Sequence, residues 1–216
     1  MTEAPDVVTV GSLDSVARGE GARKSAGKPQ WFQIPWWTVV DYLDWLPRVL
    51  RPAEFILLSI HADMASWQRG VDEYLDTAIV SAWELTAGDT PGRDFAVALS
   101  TRDLLPLARV LEFGARKYPS CAPELAFDKD GRPTPAASGN WTKGMAWSVC
   151  FSSAMSHLTK RAAGDLLDEE SGESHAAHAL CNLLFLKAYQ DLFPEGDDRL
   201  VGFRPGGVEA SRNDHD

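Results

Sequence analysis

The sequence predicts an all-α fold, a helical bundle, and three observations predict it. Apolar residues return at three- and four-residue steps over stretches of helix length, as at Val71, Tyr74, Leu75, Ala78, Ile79 and Ala82. Start and stop signals bracket those stretches: Pro or a short polar residue ahead, Gly or Pro behind. No segment carries the alternation of a half-buried strand, and no internal repeat is visible.

Taken in order, Trp36 to Leu46 has helical spacing, entered through Pro35 and closed before Pro47. A longer helical region runs from Pro52 to Gly88, divided near Gly70, and its second half buries the face just named. Thr101 to Tyr118 is the next helix, with Thr101 or Asp103 at its cap, Pro106 in its first turn, and Leu107, Val110, Leu111 and Ala115 inward. Residues 119–139 are Pro, Ser, Gly, Asp and Lys, a long loop of the kind that serves as a lid or a disordered insertion. Asn140 then caps a helix to about Ala163, ended by Gly164, with Val149, Cys150, Ser153, Ala154, His157, Leu158 and Arg161 on one face. Ser171 or Ser174 caps the last main helix, which reaches Leu192 before Pro194. Residues 1–26 and 201–216 read as flexible tails, and residues 27–200 as one domain in which 47–100 is a helical insertion.

Composition narrows the function. The 216-residue chain is 44% hydrophobic and includes eight Trp, so it can bury a core. Its formal charge of −10 repels a polyanion, and no basic run offsets it, which argues against a nucleic-acid polymer as partner. A single nucleotide is compatible with that charge, because bound cations can neutralise its phosphates. There is no apolar stretch of membrane-spanning length and no signal-like N-terminus, so the expected location is the cytoplasm, without a membrane partner. Three scattered cysteines, Cys121, Cys150 and Cys181, do not make a disulfide framework.

The chemistry-bearing residues crowd into 141–186. Gly164-Asp165-Leu166-Leu167-Asp168-Glu169-Glu170-Ser171-Gly172 is an acidic turn directly ahead of a helix on which His175, His178 and Asn182 form one row. Carboxylates and imidazoles on one side of a helix pair suit a divalent cation. Bland readings compete: paired histidines on a helix are often ordinary half-buried side chains, and acids before a helix complement its dipole. Those readings leave the inward-facing His157 and the row ending in Asn182 unexplained. Glu73 and Asp76 are better read as a solvated helix face. Lys117 and Tyr118, followed after the loop by Asn140, Trp141 and Lys143, suit a phosphate and a stacked base, or else an amphipathic helix end and a buried Trp. The phosphate-loop, nucleophile-elbow, His-Glu-x-x-His and zinc-deaminase patterns are absent, and the single His-Asp dipeptide, His215-Asp216, lies in the tail.

Phe113-Gly-Ala-Arg-Lys-Tyr118, Asn140-Trp-Thr-Lys-Gly144, His157-Leu158, the Gly164–Gly172 turn and His175-Ala-Ala-His-Ala-Leu-Cys-Asn-Leu-Leu-Phe-Leu186 resemble the dATP/dGTP diphosphohydrolase family common in bacteriophages. That family is similar in kind to the all-α MazG-like nucleoside triphosphate pyrophosphohydrolases. Residues 119–139 stand where the family pattern has only a few, and Asp165 stands where it has Glu. The resemblance implies a Mg²⁺- or Mn²⁺-dependent hydrolase that splits a purine deoxynucleoside triphosphate between its α and β phosphates. It also implies a homo-oligomer, working in the host cytoplasm if the protein is phage-encoded. On this reading Asp165, Asp168, Glu170 and His175 are catalytic, and these four with His157 and His178 are the metal set. Lys117, Lys143 and Arg161 are assigned to the phosphates, Tyr118 and Trp141 to the base, and Asn140 and Asn182 to the substrate site. The alternative is a non-catalytic helical interaction module derived from the same family.

Overall fold

The computed structural model describes residues 7–10, 22–25, 33, 52–89 and 100–199. Helices α1 (Pro52–Gln68) and α2 (Tyr74–Gly88) come first. After a 3-10 turn at Thr101–Leu104 follow α3 (Leu105–Lys117), the short α4 (Pro123–Ala126), α5 (Trp147–Ala162) and α6 (His175–Leu192). The fold is all-α, a bundle arranged about α6, which packs against α2, α3 and α5 while α1 packs on α2. Ten residues of α6 are buried, from His175 through Tyr189, so this helix is enclosed on most sides rather than amphipathic.

One apolar core unites α1 and α2 with α5 and α6. Trp67 of α1 is fully buried and stacks on Trp147 at 6.0 Å and on Phe151 at 5.7 Å. The stretch expected as an insertion within 47–100 therefore supplies interior, not ornament. The periodic face of α2 is borne out at Leu75, Ala78 and Ala82, all at zero exposure, while Tyr74 at its edge is exposed. Arg199 closes the core beyond α6: its guanidinium lies 4.7 Å from Trp67 and 4.9 Å from Trp147 and pairs with Asp72 and Asp197.

Three local expectations change. Asn140 does not open a long helix: Asn140–Lys143 is a separate 3-10 turn, and α5 starts at Trp147. Gly144 causes the break, with φ +77° and the Phe193 ring 2.9 Å from where a Cβ would stand. The 119–139 segment is braced on itself, Ser120 bonding to the carbonyls of Ala136 and Ser138 and Phe127 bridging to Pro133. Within the stretch expected as an N-terminal tail, β1 (Val7–Val10) and β2 (Ala22–Ser25) pair antiparallel, with β2 beside the 140–143 turn. The β-branched run Val7-Val8-Thr9-Val10 carries that preference. The expected helix at Trp36–Leu46 and the tail 201–216 lie outside the described residues. Among those described, no helix is long and apolar enough to cross a membrane.

Candidate active site

A cavity of about 500 Å³ opens between α3, the 138–141 segment, the acidic turn and one face of α5 and α6. Its polar lining includes His157, Asp168, Glu170, His178, Asn182 and Lys117. Val110, Leu111, Trp141, Met145 and Phe185 are among its apolar lining.

The acidic turn builds part of that polar lining. It is pinned at its base by Asp168 N–H to the Glu173 carbonyl (2.8 Å) and His175 N–H to the Leu166 carbonyl (2.9 Å), and Gly172 at φ +74° lets the chain reverse. Ser174 caps α6, its hydroxyl accepting from the Ala177 N–H at 3.1 Å. The other predicted cap, Ser171, has a different task. Its hydroxyl donates to Asp168 Oδ1 (3.1 Å) and lies 2.7 Å from His178 Nε2. The backbone N–H groups of Glu170 and Ser171 also donate to Asp168 Oδ1, at 3.2 and 3.0 Å. The turn thus holds the Asp168 carboxylate in one orientation.

Three histidines stand against it. His157 Nδ1 and His175 Nδ1 are 2.9 Å apart, and the His157 and His178 rings stack at 4.5 Å. The Phe113 edge meets His178 at 6.3 Å. His157, Asp168 and His175 can each present a ligand atom such that all lie within 4.8 Å of one another, a cluster able to hold a metal ion. Burial pushes Asp168 upward, but the Ser171 N–H, His178, the Ser171 hydroxyl and His157 outweigh it and keep this carboxyl below its usual range. Burial depresses His175, opposed by Asp168 and reinforced by Lys160. The site therefore favours an ionised carboxylate beside neutral imidazole, the forms that bind metals.

Lys117, at the end of α3, forms an ion pair with Glu170, also a lining residue, and lies 5.4 Å from the Tyr118 ring centre. Burial works against its charge, yet Glu170 and Tyr118 more than compensate and raise its pKa. Trp141 stacks on Phe185 at 4.9 Å, and its carbonyl accepts from the Tyr189 hydroxyl. Asn140, only 9% exposed, lines the cavity, and its buried Oδ1 has no hydrogen-bond partner among the described residues. Such an atom is costly to leave unmatched.

The residues expected at the site thus divide. His157, Asp168, Glu170, His178, Asn182, Lys117, Tyr118, Asn140 and Trp141 line the cavity, with His175 buried behind His157. Asp165, Lys143 and Arg161 are not among its lining residues. Asp165 is exposed immediately after Gly164, and Lys143 reaches the Ser120 carbonyl at 3.3 Å. Arg161 points to α2, where Asp89 takes it bidentately at 2.7–3.0 Å. A guanidinium so engaged serves packing between helices, not phosphate. Ser171, Phe113 and Phe185 are the site residues that sequence reasoning did not single out; Phe185 was within reach, three residues beyond Asn182 on the α6 face toward the cavity.

A family description for the N-terminal part of dATP/dGTP diphosphohydrolase matches residues 87–199. The chain belongs to the dATP/dGTP diphosphohydrolase family. The matched stretch of this diphosphohydrolase-family chain contains every residue that lines the cavity, and α1 and nearly all of α2 precede it. No curated protein and no solved structure matches the chain.

Proposed function

We propose that the chain hydrolyses a purine deoxynucleoside triphosphate, dATP or dGTP, between the α and β phosphates, giving the monophosphate and pyrophosphate with the help of a divalent cation. The observation that carries the reading is one cavity beside a His157–Asp168–His175 group, lined also by the stacked Trp141 and Phe185 rings and by Asn140, whose Oδ1 has no hydrogen-bond partner among the described residues. Its volume, about 500 Å³, is in the range of small-molecule sites.

His157, Asp168 and His175 would hold the cation, whose chemistry when bound is to neutralise phosphate oxygens and favour attack at phosphorus. Ser171 keeps the Asp168 carboxylate oriented toward that place, and His178, against Ser171, is positioned to orient water or a phosphate oxygen by hydrogen bonding. Lys117 supplies a positive charge for the outer phosphates once the triphosphate competes with Glu170. Trp141 and Phe185 exclude water and stack the base, and the Asn140 amide reads its polar edge. Completion of the site in a homo-oligomer belongs to the same proposal.

Product analysis with purified protein, dATP or dGTP and divalent cation tests this. Pyrophosphate and monophosphate are expected, and Asp168→Asn and His157→Ala should each cut the rate by on the order of 10²–10⁴ while leaving helical content unchanged. Full turnover in both variants would remove the site assignment. A wild-type melting temperature indifferent to cation and nucleotide would favour the non-catalytic module.

A further inference from the structure

We propose that Asn140 makes the cavity selective for adenine over guanine, so that dATP is the favoured nucleotide. This rests on the proposed function, whose base it specifies. Asn140 borders the cavity, is 9% exposed, and its buried Oδ1 has no hydrogen-bond partner among the described residues. A buried acceptor left open is costly, and a donor brought in by a ligand relieves that cost. The backbone that carries it is fixed. The Thr142 hydroxyl donates to the Gly139 carbonyl at 2.7 Å, and the Gly144 N–H and the Tyr189 hydroxyl both donate to the Trp141 carbonyl. The turn thus presents a preset amide, next in the chain to a ring that stacks on Phe185.

An amide offers one acceptor and, beside it, N–H donors. Adenine matches that pair with its 6-amino group and an adjacent ring nitrogen, the contact asparagine makes to adenine in nucleic acids. Guanine carries two neighbouring donors, N1–H and the 2-amino group, which a carboxylate matches with its two oxygens. Three carboxylates line the cavity among the described residues, and each is already engaged. Glu112 pairs with Arg116, Glu170 pairs with Lys117, and Asp168 accepts from the Ser171 N–H and hydroxyl. Guanine set against the amide through its 6-oxo group and N1–H brings in a 2-amino group that needs a further acceptor, and no carboxylate is free to supply it. A site that leaves a ligand's polar group unpaired rejects that ligand.

The test measures binding of uncleavable α,β-methylene triphosphates to the full chain in the presence of divalent cation. Three are compared: the dATP analogue, the dGTP analogue, and a deoxypurine analogue that lacks the 6-amino group. The wild type should bind the dATP analogue at least about tenfold more tightly than either of the others. Asn140→Ala should bring the three affinities to within about twofold of one another. It should do so without lowering the melting temperature, because the oxygen it removes is unmatched in the free protein. A melting temperature that falls while all three affinities weaken equally would mean that Asn140 only holds the turn, and would overturn the inference. So would wild-type affinities that are equal or favour dGTP, full affinity for the analogue without the 6-amino group, no binding of the dATP analogue, or selectivity that survives Asn140→Ala. The deoxypurine comparison needs no variant and decides the matter if Asn140→Ala does not fold. Cleavage of dATP and dGTP with equal affinities would leave the proposed function standing without the inference. Selective binding of the dATP analogue, with no cleavage of dATP, would do the reverse.

Discussion

The two ends of α6 are built on opposite principles. From Leu183 to Tyr189 the helix contributes Leu183, Leu186 and Tyr189 to the apolar core that also holds Trp147 and Phe151, and burial of apolar surface does the work. From His175 to Asn182 one face meets a cluster of three imidazoles and a carboxylate beside the cavity. Buried polar groups cost stability unless matched, so the second end is a liability that the first end offsets. The chain gathers its buried polar groups where chemistry is expected and its apolar cohesion where none is.

The comparison breaks most readily at Trp67. Trp67→Ala removes a fully buried ring that two aromatic partners and Arg199 enclose, and should cost about 3–5 kcal/mol, read as a drop in denaturant midpoint. In molecules still folded, cation binding should be unchanged; a parallel loss of metal affinity would show that the two ends are not separable. Next comes the Arg161–Asp89 pair, whose carboxylate side chain is only 4% exposed. Asp89→Ala and Arg161→Ala should each cost up to about 3–5 kcal/mol, because either leaves a buried charge alone. Steady-state kinetics then sharpens the distinction: with the fold intact, Arg161→Ala should leave KM for nucleotide unaltered, and a large KM rise would return Arg161 to the phosphate site. The smallest expected effect is at Lys117. Lys117→Ala should raise KM for the triphosphate about tenfold, near 1.4 kcal/mol, with little change in kcat or melting temperature.

Much of this is legible in the sequence. Periodicity and punctuation placed α2, α3 and α6, because their boundaries coincide with Pro, Ser or Gly that act locally. The row His175, His178, Asn182 follows from helix geometry alone, and His157 faced inward as its spacing required. What the residues could not disclose was set by distant contacts. Arg161 shares the His157 face of α5, and nothing in its spacing says that Asp89, 72 positions away, will take it. Gly144 reads as an ordinary helix residue until the Phe193 ring is seen to occupy the space of its missing side chain. The role of Ser171 was hidden by a near-equivalence: two serines three apart each fit the cap, and only the folded turn assigns one to the helix and the other to Asp168 and His178.

Leu111 has a further consequence. It forms part of the apolar cavity wall and is nevertheless 41% open to solvent, so few interior contacts depend on its shape. Swapping it for Met, Gln or Thr would remodel the cavity wall with little penalty to folding. A lineage, or an engineer, could reshape the cavity at that single α3 position, leaving the imidazole cluster and the tryptophan interior untouched.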